Sequence, residues 1–216
     1  MTGLIVKDFF VMRKTLKSYL MIMLLYVVLA YLDVLNYAFI ITFIQVMLMV
    51  LPFTAFAYDE QAKWDRYAMS LPLGRGKVVG ARYLFVLVLT VITTAIGLFG
   101  TASLTLVREV EPVEMLLTLE VSTSLGLLVP AILLPLCYKL GAERARPYLY
   151  AIIFIPVIAI VLLARANILD FSALNGLNAL SSTAILGGAS LLPLGGLAAL
   201  AVSYLISCRI AADKEY

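Results

Sequence analysis

Six apolar stretches, each near the length of a membrane-crossing helix, divide this chain of 216 residues. A hydrocarbon layer about 30 Å thick is crossed by roughly 20 apolar residues in helical form. No water is present there to satisfy backbone N–H and C=O groups, so only helices and closed barrels cross it. The runs here are continuous, not alternating strands of about ten residues, which sets the barrel aside. Charged residues make up 13% of the chain and hydrophobic ones 63%, against about 25% charged in a soluble domain. The fold class read from this is an all-α integral membrane protein with six transmembrane helices.

The expected spans are 19–35, 37–57, 81–107, 115–138, 148–167 and 184–207. The first ends at Leu32, or at Leu35 if Asp33 sits at the interface, and the fifth fades between Leu163 and Leu169. There is no internal repeat and no loop large enough for a second domain, so residues 1–216 read as one bundle.

Basic residues set the orientation, because cytoplasmic loops retain Lys and Arg. One side receives Lys7, Arg13, Lys14 and Lys17, then Lys63, Arg66, Arg75, Lys77 and Arg82, then Lys139, Arg144 and Arg146, and finally Arg209 and Lys214. The opposite loops hold Arg108 and Arg165 beside Asp33, Glu109, Glu111, Glu114 and Asp170. Both termini are therefore expected in the cytoplasm of a multi-pass protein. The net charge of +3 follows from this sidedness and from attraction to anionic lipid head groups. A nucleic-acid partner is not expected, since no basic patch sits on a soluble module.

Val28-Leu29-Ala30 matches a signal-peptide cleavage site only loosely, and the preceding segment is long and amphipathic for such a leader. Span one is expected to be retained. Residues 1–17 place Leu4, Ile5, Phe9, Met12 and Leu16 at helical spacing, with Lys7, Lys14 and Lys17 off that stripe. This reads as a helix lying in the interface, apolar face down, or as an extension of span one into the cytosol. Cys137 and Cys208 fall at cytoplasmic ends of spans, where thiols stay reduced.

The chain has no histidine, which removes His-based metal sites and acid/base pairs. Gly74-Arg75-Gly76-Lys77 imitates a phosphate loop, but that loop needs Gly five residues before the Gly-Lys pair and Ser or Thr after it. Leu71 and Val78 occupy those positions. Neither a catalytic residue nor a metal or cofactor is expected in this chain. Within the spans, Gln45 and Glu120 are the candidates for a transport pathway. The alternatives are an interhelical hydrogen bond for Gln45 and an interfacial carboxylate for Glu120.

One dense polar segment, Tyr58-Asp59-Glu60-Gln61-Ala62-Lys63-Trp64-Asp65-Arg66-Tyr67, separates spans two and three. Asp59 suits a helix N-cap with Glu60 in the first turn, and Pro72 bars continuation much past Ser70. A short cytoplasmic helix at about 59–71 is expected. It would gather Trp64, Tyr67, Ala68 and Leu71 on one face, a surface suited to a protein interface or to packing back on the chain itself.

From Tyr58 to Leu84 the pattern Y-D-E-x-x-K-W-D-R-Y-x-x-S-L-P-x-x-R-x-x-V-V-x-x-R-Y-L resembles six-span permease subunits of the ABC-2 type, especially compact Gram-positive ones. The resemblance implies a non-catalytic permease of an ABC exporter in the bacterial cell membrane. Its partners would be an ABC ATPase subunit that hydrolyses the ATP, a second permease subunit and membrane lipids. The 59–71 segment becomes a coupling helix, with Asp59, Glu60, Lys63, Trp64, Asp65, Arg66 and Tyr67 docking the ATPase, and residues 1–17 become an elbow helix. Cargo of an amphipathic or antimicrobial-peptide kind is implied by the same family. The rival reading is a self-contained six-span channel or secondary transporter, which calls for ionisable groups deep in several spans and an internal repeat. A glutamate-based membrane protease lacks its histidines here.

Overall fold

The computed structural model describes residues 2–32, 34, 37–64, 67–68, 74–107, 112–166 and 187–213. Seven long helices run through these residues: α1 (Thr2–Val11), α2 (Arg13–Tyr31), α3 (Tyr37–Gln61), α4 (Arg75–Val107), α5 (Pro112–Leu140), α6 (Ala142–Arg165) and α7 (Leu191–Asp213). No strand occurs among the described residues. Among the described residues, five segments are long and apolar enough to cross a membrane by length and composition: Phe39–Gln61, Gly76–Gly100, Val113–Leu140, Ala142–Arg165 and Gly187–Asp213. The segment α2 is not among them. Its basic residues Arg13, Lys14 and Lys17 fall in the first five positions, ahead of the apolar run that begins at Tyr19.

α5 is the centre of the bundle and touches α3, α4, α6 and α7. Lipid tails are as apolar as leucine, so helices in a bilayer associate through close packing and interhelical hydrogen bonds. Both occur on α5. Gly126 lets α3 approach so closely that a Cβ there would lie 3.0 Å from Leu48 and 3.5 Å from the Gln45 carbonyl. Gly196 does the same for α7 against Leu127. Ser124 adds a hydrogen bond to the Leu192 carbonyl at 3.1 Å. Phe85, Leu48, Leu51, Leu127, Leu133 and Leu134 fill the resulting core, each at most 1% exposed.

The helices outrun the expected spans at their charged ends. α3 continues through Gln61, α4 starts at Arg75, and α6 starts at Ala142 where a loop was expected as far as 147. Basic side chains do not break helical backbone bonding; they only leave the hydrocarbon. The loop expected around Lys139 to Arg146 is thereby reduced to Gly141.

α1 differs from its expected setting. Ile5, Phe9, Met12 and Leu16 pack on the protein core, with Phe9 edge-on to Phe85 of α4 at 5.1 Å between ring centroids. The stripe is covered by helices of its own chain, and Val6, Phe10 and Val11 are the exposed apolar residues of α1. Met12 interrupts the helix assignment, yet its N–H still reaches the Asp8 carbonyl at 3.1 Å. α2 then runs antiparallel along α3: Thr15 meets Tyr58 at one end (3.2 Å), and Tyr26 meets Phe43 towards the other (4.7 Å between centroids).

Candidate functional site

The last turn of α3 is bonded to α1, α4 and α6. Asp59 and Glu60 are neighbours in sequence, but on a helix adjacent residues point about 100° apart. They accordingly reach different partners.

Asp59 faces inward, 6% exposed. Both of its oxygens accept from the Lys7 ammonium of α1, at 2.7 and 2.8 Å, and one also accepts from the Arg82 guanidinium of α4. Arg82 donates in addition to Asp8 at 3.0 Å, and Lys7 lies 3.1 Å from Asp8. Two cations and two carboxylates therefore balance one another in a nearly closed setting. Such closure is what buried charges need, because an unpaired one loses its hydration without compensation. Arg82 also stands 5.7 Å over the Phe56 ring, which packs edge-on against Tyr138 of α5.

Glu60 turns toward α6. Its Oε2 accepts the backbone N–H groups of Ala142 and, at 3.3 Å, Glu143. The opening amides of a helix lack intrahelical acceptors, and Gly141, in the cap position, has no side chain to offer. A carboxylate from another helix takes that role, at the end where the helix dipole favours negative charge.

Beyond Gln61 the chain reverses. Ala62 and Lys63 form a turn in which Lys63 has φ 50°, the left-handed conformation that ends helices. The expected start of a new helix at Asp59 is therefore displaced: Asp59 and Glu60 close α3. Trp64 follows, with the Lys7 ammonium 4.3 Å from its ring centroid and the Tyr67 ring 5.1 Å away. Tyr67 is 58% exposed. The aromatic pair thus sits at the protein surface while its inner edge is pinned by α1. Asp65, Arg66 and residues 69–73, the rest of the expected helix, lie outside the described residues.

Of the seven residues expected to meet a partner, the structure brings Asp59, Lys63, Trp64 and Tyr67 to one corner and directs Glu60 to α6. The pathway candidates lie elsewhere. Gln45 is 1% exposed and donates to Thr123 of α5 at 2.8 Å, as expected of an interhelical bond. Its Oε1, like Oε2 of Glu120, is buried without a hydrogen-bond partner among the described residues.

In the sequence Lys7 and Arg82 read only as topology charges, and Asp8 has no assigned role. A signal was present: Asp8 shares the helical stripe of Ile5 and Met12, and an acid on an apolar stripe calls for a buried cation. Arg82 likewise sits among Val79, Phe85 and Val86, all buried.

Comparison with curated proteins and with solved structures returned no match. A family model described as ABC-2 family transporter protein matches residues 3–212, nearly the whole chain. The helical architecture, the spans and this match agree: the protein belongs to the ABC-2 transporter family and is a multi-pass membrane protein with the role of a permease.

Proposed function

We propose that this chain is the transmembrane subunit of an ABC exporter, that it works with a separate ABC ATPase, and that the segment after α3 is where the ATPase docks. In this reading Lys63, Trp64, Asp65, Arg66 and Tyr67 make the contact, and Asp59 and Glu60 brace it from behind. The observation that carries the reading is the anchoring of Trp64. A surface aromatic pair is a preferred interface anchor, and here it rests on Lys7, which is itself locked to Asp59. A push on Trp64 is thereby delivered to α1, α3 and α4 together, and through Glu60 to α6. ATP-driven closure of the partner would use this as a lever.

Six spans follow if α2 crosses as well. It runs antiparallel beside α3, with Thr15 at Tyr58 and Tyr26 at Phe43, and its 19 residues are about 28 Å long at 1.5 Å per residue, close to the hydrocarbon thickness. Both termini then lie on the cytoplasmic side with the basic ends of α4 to α7, in a bacterial cell membrane. A second permease subunit, identical or related, completes the pathway, in which Gln45 and Glu120 are the polar groups.

The cargo is of amphipathic type, such as an antimicrobial peptide. A groove of about 500 Å³ between α4 and α7, lined by Leu84, Leu87, Leu197 and Leu200 among others, supports this. It is apolar and open at the side, as lateral entry from the membrane requires.

The test is co-expression with the ABC ATPase subunits of the source genome, one at a time. Tagged wild-type chain retains one of them on purification, and Trp64→Ala with Tyr67→Ala loses it while staying in the membrane fraction. Undiminished recovery by the double variant rejects the docking surface.

A further inference from the structure

Gly141 is the entire connection between α5, which ends at Leu140, and α6, which begins at Ala142. Its φ of 86° lies in the left-handed region, which side-chain-bearing residues rarely adopt. There is a second constraint at the same atom. A Cβ on residue 141 would stand 2.6 Å from Oε1 of Glu60, so a side chain there requires the Glu60 carboxylate to move from its capping position.

The rest of α6 is held by little. Its buried residues are Ala142, Ala145 and Leu149, all in the first eight positions. From Phe154 to Leu163 every residue is exposed. α6 is a rod fastened at one end.

We propose that Glu60 is a positioning residue that pins the N-terminus of α6 to the last turn of α3, and that Gly141 is the pivot about which α6 swings relative to α5. The pin stands on the geometry above. Its use as a transmission path rests on the reading of the segment after α3 as the ATPase dock. Because Asp59 holds α1 and α4 from the same helical turn, a displacement of that turn carries α6 along with them. The direction of the swing is set by which way Glu60 moves, since among the described residues no other side chain caps α6.

The experiment is a distance measurement by double electron–electron resonance on the full chain in lipid nanodiscs, without any ATPase. Spin labels are placed at Ile158→Cys on α6 and Leu125→Cys on α5, both exposed positions, in a background with Cys137→Ala and Cys208→Ser. The parent and Glu60→Gln, whose amide oxygen still accepts both N–H groups, give one narrow distance. Glu60→Ala and Gly141→Ala broaden it or shift it by several ångströms. A control pair, Val46→Cys with Leu125→Cys, reports α3 against α5 and stays unchanged. Parent-like α6 distances in both Glu60→Ala and Gly141→Ala overturn the proposal. An equal change in the control pair also overturns it, because Glu60 would then serve the bundle at large. Neither variant touches Trp64 or Tyr67, so a failure here leaves the docking reading to the co-purification experiment.

Discussion

Lys7 donates to both carboxylate oxygens of Asp59, at 2.7 and 2.8 Å, and so fastens the first helix of the chain to the end of the third. The two residues are 52 positions apart. With Asp8 and Arg82 they form a four-charge cluster between α1, α3 and α4.

The two partners of that bond differ in burial, and their removal separates accordingly. Asp59→Ala strips Arg82, whose side chain is 8% exposed, of one of its two acids. Breaking a buried pair costs about 3–5 kcal/mol. Lys7 is 20% exposed and its loss leaves Arg82 as the one cation of the cluster for Asp8 and Asp59, but water reaches the vacated edge, so Lys7→Ala costs less, about 2 kcal/mol. Thermal unfolding followed by circular dichroism in nanodiscs measures both. Equal losses would show that the cluster is hydrated and not closed.

Tyr83 joins α4 to α7 through Ser203 at 2.6 Å and Ser207 at 2.7 Å. Interhelical hydrogen bonds in membranes average about 0.6 kcal/mol, and serine hydroxyls can turn back to the carbonyl one turn earlier. Tyr83→Phe is therefore expected to cost about 1 kcal/mol in detergent unfolding. Ser203→Ala with Ser207→Ala costs about the same, and the triple variant no more than either. Additive losses would mean that the serines hold something other than Tyr83.

Topology is checked by Val110→Cys, in the segment between spans three and four. A membrane-impermeant maleimide labels it in intact cells, while wild type, with Cys137 and Cys208 at the opposite end, stays unlabelled. Labelling of Val110→Cys only after lysis reverses the orientation.

Hydropathy made most spans legible, because a bilayer selects for length and apolarity one segment at a time. The ends of helices were not legible in that way. Lys139, Arg144 and Arg146 looked like a loop, yet they ride on α5 and α6 with Gly141 as the only break. Asp59 and Glu60 looked like the start of a helix, yet they close α3, since the left-handed residue that ends it is Lys63. Composition cannot tell a cap from a last turn when both are acidic and flank a polar segment.

The sequence alone determined the solvent this chain lives in, its helical class and its charge asymmetry. Each follows from local residue chemistry against water or hydrocarbon. The tertiary structure alone decided where the charges spend themselves. Asp8 and Arg82 are buried against Asp59 because three helices meet there. Glu60 caps α6 because Gly141, with no side chain and a positive φ, brings that helix within reach. Pairings between residues tens of positions apart depend on which helices are neighbours, and no local pattern carries that information.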